Sequence, residues 1–378
     1  MYLKYGMIGG GNGAFIGDVH RRGAFLGGLA KLTAGCFTRD GEKNMETAEE
    51  WNVEDKGRVY GNYQEMAEAE GQREDGINFV AITTPNDTHY GIAKAFMEQG
   101  IHVMCDKPLT ITEEEAMDLE RIAKEKDLCF GVTYSYAGYA MVRQAREMIE
   151  RGEIGDIVHV TTEYPQDWLL LGLRSEETRK KMWRLDPKRG SGSLCTVDIG
   201  THLEHLIVAA TGMEVKKVLA RFDYSPKDVP LETNSTVMLE FDNGVSGTLW
   251  SSIVAIGHDA DVRIRIYGTK GSLEWYHGSA GLLKHSKLGE PVQIYSMNRD
   301  YNYDGSLEMS HLPAGHPEGY YEAFGNIYRA FCQDVIARRN GDMETRFHYP
   351  SVHDGVQGVR FVNACVKSNQ LGNVWVEL

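Results

Sequence analysis

Three side chains in this chain of 378 residues have the type and setting for proton and alkoxide chemistry: Lys107, Asp198 and His202. Lys107 stands in Cys105-Asp106-Lys107-Pro108, where proline removes a donor and restricts the residue before it. An ammonium group fixed there can bind and orient a hydroxyl and stabilise an alkoxide. Asp198 and His202 are four positions apart, which on a helix places both on one face. A carboxylate beside an imidazole favours its protonated form and fixes the ring. A general base for alcohol oxidation needs that character. His205 follows three positions later, but Asp-x3-His-x2-His without a nearby cysteine is not a metal-ligand spacing. No metal is expected, and His205 reads as a core or supporting residue.

A second group of residues points to a cofactor. Gly9-Gly10-Gly11-Asn12-Gly13-Ala14-Phe15-Ile16-Gly17 follows a strand-like run and opens a helix. Gly9-x-Gly11-x-x-Ala14 satisfies the dinucleotide fingerprint in its alanine-ended form. Glycines there permit a tight turn and let the backbone approach a pyrophosphate at the helix N-terminus. Read with Gly17 as the last glycine, the loop is longer than usual. The second strand ends in Thr38-Arg39-Asp40. An acid there binds the ribose of NAD, whereas an arginine holds the phosphate of NADP; this chain offers both, and the sequence does not decide. Thr84-Pro85-Asn86 makes a strand-to-helix turn at the edge where ligands of open α/β sheets bind. His89 beside it either contacts cofactor or caps the turn as an exposed residue.

These groups need elements to position them. Strand-like runs at Lys4–Ile8, Leu32–Thr38, Asn78–Thr83, His102–Cys105 and Leu128–Thr133 alternate with helical patterns, which predicts βαβ units and a parallel sheet. After Tyr134 the rhythm changes. A helix near Tyr139–Arg151 leads to a strand at Ile157–Tyr164. From 215 to 276 strands follow one another, with Asp242-Asn243-Gly244 as a hairpin turn. Consecutive strands joined by turns predict an antiparallel sheet. Residues 166–197 carry little regular pattern, and long irregular stretches are often functional.

Bulk properties narrow the classes. A net charge of -14 and no basic run argue against nucleic acid as a partner. No segment is long and apolar enough to span a membrane, and the N-terminus has no signal-peptide pattern. Six scattered cysteines, several in apolar runs, read as reduced core residues of a cytoplasmic protein.

Taken in order, the glycine loop, Thr84-Pro85-Asn86, Asp106-Lys107-Pro108 and Asp198-x3-His202 resemble the glucose–fructose oxidoreductase / inositol dehydrogenase / rhizopine catabolism family (Gfo/Idh/MocA). The resemblance runs over nearly the whole chain, including Gly152-Glu153-Ile154-Gly155 and Gly268-Thr269-Lys270-Gly271. It implies an α/β Rossmann domain at 1–134, followed by an α+β domain at 135–378 with a large open antiparallel sheet that often makes a homo-oligomer interface. Lys107 is similar to the family's Glu-Lys-Pro lysine, with Asp106 where glutamate is usual. Asp198 and His202 are similar to its carboxylate–histidine pair. Cofactor contacts are expected from Gly9, Gly11, Asn12, Ala14, Phe15, Ile16, Thr38, Arg39, Thr84, Pro85, Asn86, His89, Asp106 and Lys107, with NAD(H) favoured and NADP(H) the alternative.

Where the family often has arginine, this chain has Tyr134-Ser135-Tyr136, and an aromatic wall there would suit stacking on a sugar or aglycone. Trp168, Trp183 and Arg184 belong to the irregular segment, which reads either as a pocket wall or as a structural loop or oligomer arm. Lys107, Tyr134, Tyr136, Trp168, Trp183, Arg184, Asp198 and His202 form the expected substrate set. The expected activity is hydride transfer between nicotinamide and a secondary hydroxyl of a neutral sugar, inositol or glycoside. Two rivals stand beside it: a glycosidase that uses bound NAD as a transient oxidant, and a non-catalytic sugar- or dinucleotide-sensing regulator.

Overall fold

Phe79-Val80-Ala81-Ile82-Thr83 is buried at every position, the pattern of a strand covered on both faces. In the computed structural model, which describes residues 2–342 and 348–378, this run is the centre of a five-stranded parallel sheet of order β2-β1-β3-β4-β5. Its strands are β1 (Leu3–Gly9), β2 (Ala30–Cys36), β3 (Phe79–Thr83), β4 (His102–Cys105) and β5 (Phe130–Val132). The helices between them are α1 (Phe15–Gly27), α2 (Gly41–Glu50), α3 (Tyr63–Gln72), α4 (His89–Glu98) and α5 (Glu113–Glu125). Local chemistry sets their starts. Asp40, Asn62 and Thr112 accept backbone N–H groups at the first turns of α2, α3 and α5, satisfying donors that a helix start leaves open.

The chain divides into two units: Met1–Gly138 with Tyr320–Val356, and Tyr139–Gly319 with Gln357–Leu378. The first is therefore not continuous in sequence. Helix α11 (Tyr320–Arg339) returns to it and packs along α1. Small residues allow the close approach: a Cβ on Gly23 would lie 2.6 Å from the Phe324 Cβ. Met7, Phe79, Phe324, Tyr328 and Phe331 form its core.

The second unit contains α6 (Ala140–Glu150), β6 (Ile157–Pro165), the short helices α7 (Trp168–Gly172) and α8 (Glu176–Lys181), and α9 (Thr201–Thr211). Strands β7 (Val215–Asp223), β8 (Asn234–Phe241), β9 (Ser246–Ser252), β10 (Arg263–Gly268), β11 (Gly271–Tyr276), β12 (Leu282–Lys287) and β13 (Gln293–Ser296) follow. Then come α10 (Asp304–Glu308) and, after α11, α12 (Val352–Gln370), of which Gln357 onward belongs to this unit, and β14 (Val376–Glu377). The nine strands form one sheet of order β13-β12-β11-β10-β6-β9-β8-β7-β14.

This is the expected large, mostly antiparallel sheet, with one difference. β6 lies between β9 and β10 and pairs parallel with β9, so β9 and β10 are not neighbours although they are consecutive. Alternation drives the burial: Ser235, Val237, Leu239 and Phe241 of β8 point inward and Thr236 and Met238 outward. On the outward face an ion-pair row crosses four strands, with Arg265 between Glu163 (3.3 Å) and Glu274 (3.5 Å), and Lys284 3.9 Å from Glu274.

Candidate active site

The turn from β1 to α1 is built by glycine geometry. Gly9, Gly10 and Gly13 have φ of 81°, 70° and 87°, a region open mainly to glycine. The close packing expected of the motif's last glycine falls to Gly17 and not to Ala14, because a Cβ on Gly17 would lie 2.1 Å from the Gly10 carbonyl oxygen. Ala14 is the helix N-cap instead. The tip of the loop, Asn12-Gly13-Ala14-Phe15, is exposed and Ile16 is half-buried. A Cβ on Gly13 would meet nothing within 4 Å. An exposed loop tip, a thirteen-residue helix whose N-cap Ala14 makes no side-chain cap bond and open space over Gly13 fit the cradle a pyrophosphate needs.

The loop after β2 separates two residues that the sequence left equal. Asp40 accepts the backbone N–H groups of Glu42 at 3.1 Å and Lys43 at 3.2 Å, so its carboxylate caps α2. Asp40 N–H donates to the Thr38 hydroxyl at 3.3 Å. Arg39 is exposed.

His89 is neither an exposed cap nor open to a ligand. It is fully buried, and its ring lies between two backbone carbonyls, Pro108 O 2.9 Å from Nδ1 and Thr84 O 2.8 Å from Nε2. It therefore ties the loop after β3, with half-buried Thr84, Pro85 and Asn86, to the loop after β4 that carries Lys107. Lys107 is half-buried. Beside it, Asp106 accepts the Thr133 hydroxyl at 2.8 Å and lies 3.6 Å from Nε2 of buried His20. Tyr328 OH is 2.8 Å from the other ring nitrogen of His20. Burial alone would raise the Asp106 carboxyl. The hydrogen bond and charge of His20, the charge of Lys107 and the Thr133 hydroxyl outweigh it and hold the carboxyl below the usual range.

In the second unit Asp198 is not on an α-helix. It lies in a π-helical turn, Thr196–Gly200, that α9 continues, and His202 is the second residue of α9. Four-residue spacing cannot tell a wide turn from an ordinary one, and such turns are frequent at functional sites. His202 and His205 are buried and Asp198 is half-buried. Arg184 Nε is 3.5 Å from Asp198 Oδ1, and the Trp183 ring carries the guanidinium groups of Arg184 at 4.6 Å and Arg189 at 5.3 Å. The irregular segment thus brings Trp183 and Arg184 to Asp198. Trp168 begins α7 and is half-buried.

The tyrosines expected as an aromatic wall, Tyr134 and Tyr136, are buried at 1% and 3% exposure, and so is Tyr139 at 5%. Tyr139 belongs to the core of its unit, packed on Trp275 and bonded to His277 at 2.9 Å.

Sequence reasoning missed His20, Tyr328 and the buried Glu232, whose carboxylate accepts from Ser193, Leu194 and Thr196. All act across long separations, and no local spacing signals them. The six cysteines are free and buried. Among the described residues, no helix is long and apolar enough to cross a membrane.

Comparison with known proteins places this geometry. Residues 3–134 match the oxidoreductase family with an NAD-binding Rossmann fold, and residues 142–274 match the GFO/IDH/MocA C-terminal domain. An uncharacterised oxidoreductase of Bacillus subtilis, YfiI, is 37% identical over 99% of this chain and 96% of that protein. Levoglucosan dehydrogenase of Pseudarthrobacter phenanthrenivorans is 30% identical over 52% of this chain and 55% of that enzyme. Among solved structures, an inositol dehydrogenase homologue from Azotobacter vinelandii with NAD+ superposes with a TM-score of 0.94 at 35% identity, covering 100% of this chain and 98% of that one. The same homologue with NADH and myo-inositol gives 0.93 at 35% identity, with the same shares covered.

Proposed function

The chain belongs to the Gfo/Idh/MocA oxidoreductase family, and from that premise we propose that it oxidises, reversibly, a secondary hydroxyl of a neutral cyclic polyol, sugar or glycoside. It is an NAD(P)-dependent dehydrogenase of the sugar and polyol class. The observation that carries the finer reading is the Asp198–His202 pair at the join of a π turn and α9, with Arg184 ion-paired to Asp198 and stacked on Trp183. An acid, an arginine and an aromatic face together suit a ring rich in hydroxyls. Apolar faces pack on its C–H groups, and charged groups fix its hydroxyls.

The first unit would hold the cofactor through the loop Gly9 to Ile16, Thr38 and Arg39, Thr84 to Asn86, and Asp106. With the Asp40 carboxylate committed to capping α2, Arg39 is the residue left to meet a 2′-phosphate, and NAD(H) remains the preferred form through likeness to the NAD-bound homologue. When bound, nicotinamide supplies the hydride acceptor or donor. Lys107 binds the substrate hydroxyl and stabilises its alkoxide. His202, oriented by Asp198, takes the hydroxyl proton in oxidation and returns it in reduction. Trp168, Trp183 and Arg184 would line the substrate, and Tyr134 and Tyr136 complete the substrate set. The sheet of the second unit, open on the face of its ion-pair row, would join copies of the chain, and the reduced cysteines support a cytoplasmic setting.

A panel of neutral pyranoses, inositols, glycosides and 2-hydroxy acids, followed by reduced-nicotinamide absorbance and product chromatography, tests the reading. Turnover is expected with neutral cyclic polyols. Activity confined to hydroxy acids or uronates would overturn it, and aglycone release without net reduction would assign the glycosidase reaction instead.

A further inference from the structure

We infer that Glu232 is a positioning residue for the Asp198–His202 pair: its buried carboxylate grips the start of the helical segment that carries both and sets their direction. The inference rests on the role proposed for that pair.

The geometry is specific. Glu232 is 1% exposed. One carboxylate oxygen accepts the Ser193 hydroxyl at 2.5 Å and the Thr196 N–H at 2.9 Å, and the other accepts the Leu194 N–H at 2.9 Å. The Ser193 hydroxyl in turn accepts the Val197 N–H at 3.1 Å. The Glu232 backbone carbonyl takes the Cys195 N–H at 3.3 Å. Thus every residue from Ser193 to Val197 is bonded to Glu232 directly or through Ser193. The π turn with Asp198 starts inside this grip.

The gripping group is itself anchored to the sheet. Next to it, Thr233 donates its hydroxyl to Ser225 O at 2.8 Å and its N–H to Asp223 O at 3.0 Å. Its carbonyl accepts the Ile253 N–H at 3.0 Å. Sheet, carboxylate and helix start therefore form one chain of bonds.

An ordinary cap needs one oxygen from a short side chain. Two oxygens reaching three donors do more: they fix rotation as well as satisfy orphan amides. A carboxylate also suits the positive end of a helix. Burial pushes the Glu232 carboxyl above the usual range, although its donors pull it back, and the groups that feel its charge are Cys195, Tyr224 and Cys365. Holding a carboxylate in such surroundings costs free energy, and it earns a place where direction matters.

Glu232→Gln tests the role. An amide cannot accept at both positions, so one donor of the helix start would face an N–H group. In the full chain with saturating NAD+, and myo-inositol and levoglucosan as probes, kcat should fall about 10- to 100-fold, as a displacement near 1 Å can cause. The dissociation constant for NAD+ should change less than about two-fold. The decisive readout is the His202 ring titration, followed by NMR in the NAD+-bound protein. Its midpoint should move by about half a pH unit or more as Asp198 loses alignment. Simple loss of stability lowers signal without moving that midpoint.

Ser193→Ala removes one donor and one acceptor but leaves the carboxylate, and should give the same changes at smaller size. It serves if Glu232→Gln does not fold. An unmoved His202 midpoint with activity lost only in proportion to folded protein, in whichever variant folds, overturns the inference. His202→Ala, run in parallel, keeps the two ideas apart: if it retains turnover, the role of His202 fails; if it is inactive while Glu232→Gln behaves as wild type, only the role of Glu232 fails.

Discussion

The two units that carry the candidate residues are held by different means. In the first unit the backbone does most of the work. Gly9, Gly10 and Gly13 supply left-handed conformations, Gly17 lets α1 lie against the turn, and His89 staples two loops through their carbonyls. In the second unit a side chain does it, with Glu232 reaching from beyond β7 to hold the start of the helical segment bearing Asp198 and His202. Their acids differ accordingly. Asp106 has His20 and Lys107 as partners and its carboxyl is pulled down; Glu232 has uncharged donors and burial pushes it up. A region that must cradle a phosphate is shaped by where side chains are missing. A region proposed to aim a base is shaped by a side chain that reaches three donors.

The strongest way to break this contrast is to remove the aimed group. His202→Ala should lower turnover by about two to four orders of magnitude, the usual size of general-base catalysis, with NAD+ affinity unchanged in calorimetric titration. Near-normal turnover would remove His202 from the chemistry.

Next comes the backbone of the first unit. In Gly17→Ala the new Cβ would lie 2.1 Å from the Gly10 carbonyl oxygen and 2.3 Å from its Cα, and neither atom can swing away. A loss of about 1–3 kcal/mol of stability and a roughly tenfold weaker NAD+ affinity are expected, read by denaturant titration and calorimetry. Unchanged affinity would show that the turn is not the cradle.

Asp106→Asn sharpens the comparison through pH. The folded-state pKa of Asp106 is depressed, so its ionised form stabilises the fold above the unfolded carboxylate value, near pH 4, and that contribution is lost as pH falls through the folded value. The variant should be about 1–3 kcal/mol less stable at pH 7, with the gap closing in acid. A gap of equal size at pH 7 and in strong acid would contradict the ionic account. Glu232 has the opposite sign: with its pKa raised, stability declines as pH rises from the unfolded towards the folded value.

The smallest effect concerns Asp40. As the cap of α2, its replacement by alanine should cost about 1 kcal/mol and leave the ratio of NAD+ to NADP+ affinity within about two-fold. A tenfold shift in that ratio, about 1.4 kcal/mol, would place Asp40 on the ribose after all.

The same contrast explains what could be read before the structure. Backbone-shaped features leave local marks: Gly9 to Gly17 follow β1, Thr84-Pro85-Asn86 follow β3, and Lys107 stands before a proline after β4. The inward alternation of β8 and the hairpin at Asp242-Asn243-Gly244 are equally plain. Strands β12 and β13 were not legible: β12 alternates in burial although its residues Leu282-Leu283-Lys284-His285 do not alternate in polarity, and β13 at the sheet edge has no buried residue. The insertion of β6 between β9 and β10 is a long-range choice that adjacent turns cannot announce. His20 and Tyr328 meet across 308 positions, and Glu232 lies 36 positions from Thr196. His89 looked like a turn residue because nothing in its neighbours shows that Pro108 closes over it.

The central claim is hydride transfer from a carbon of a neutral cyclic polyol, and isotope tracing tests it most directly. Myo-inositol or levoglucosan, whichever the panel shows to be turned over, would be deuterated at its ring carbons and oxidised with NAD+ in ordinary water. The account predicts one deuterium at C4 of the recovered reduced nicotinamide for each substrate oxidised. Reduced nicotinamide free of deuterium, or no reduction with either compound while hydroxy acids are consumed, would contradict it.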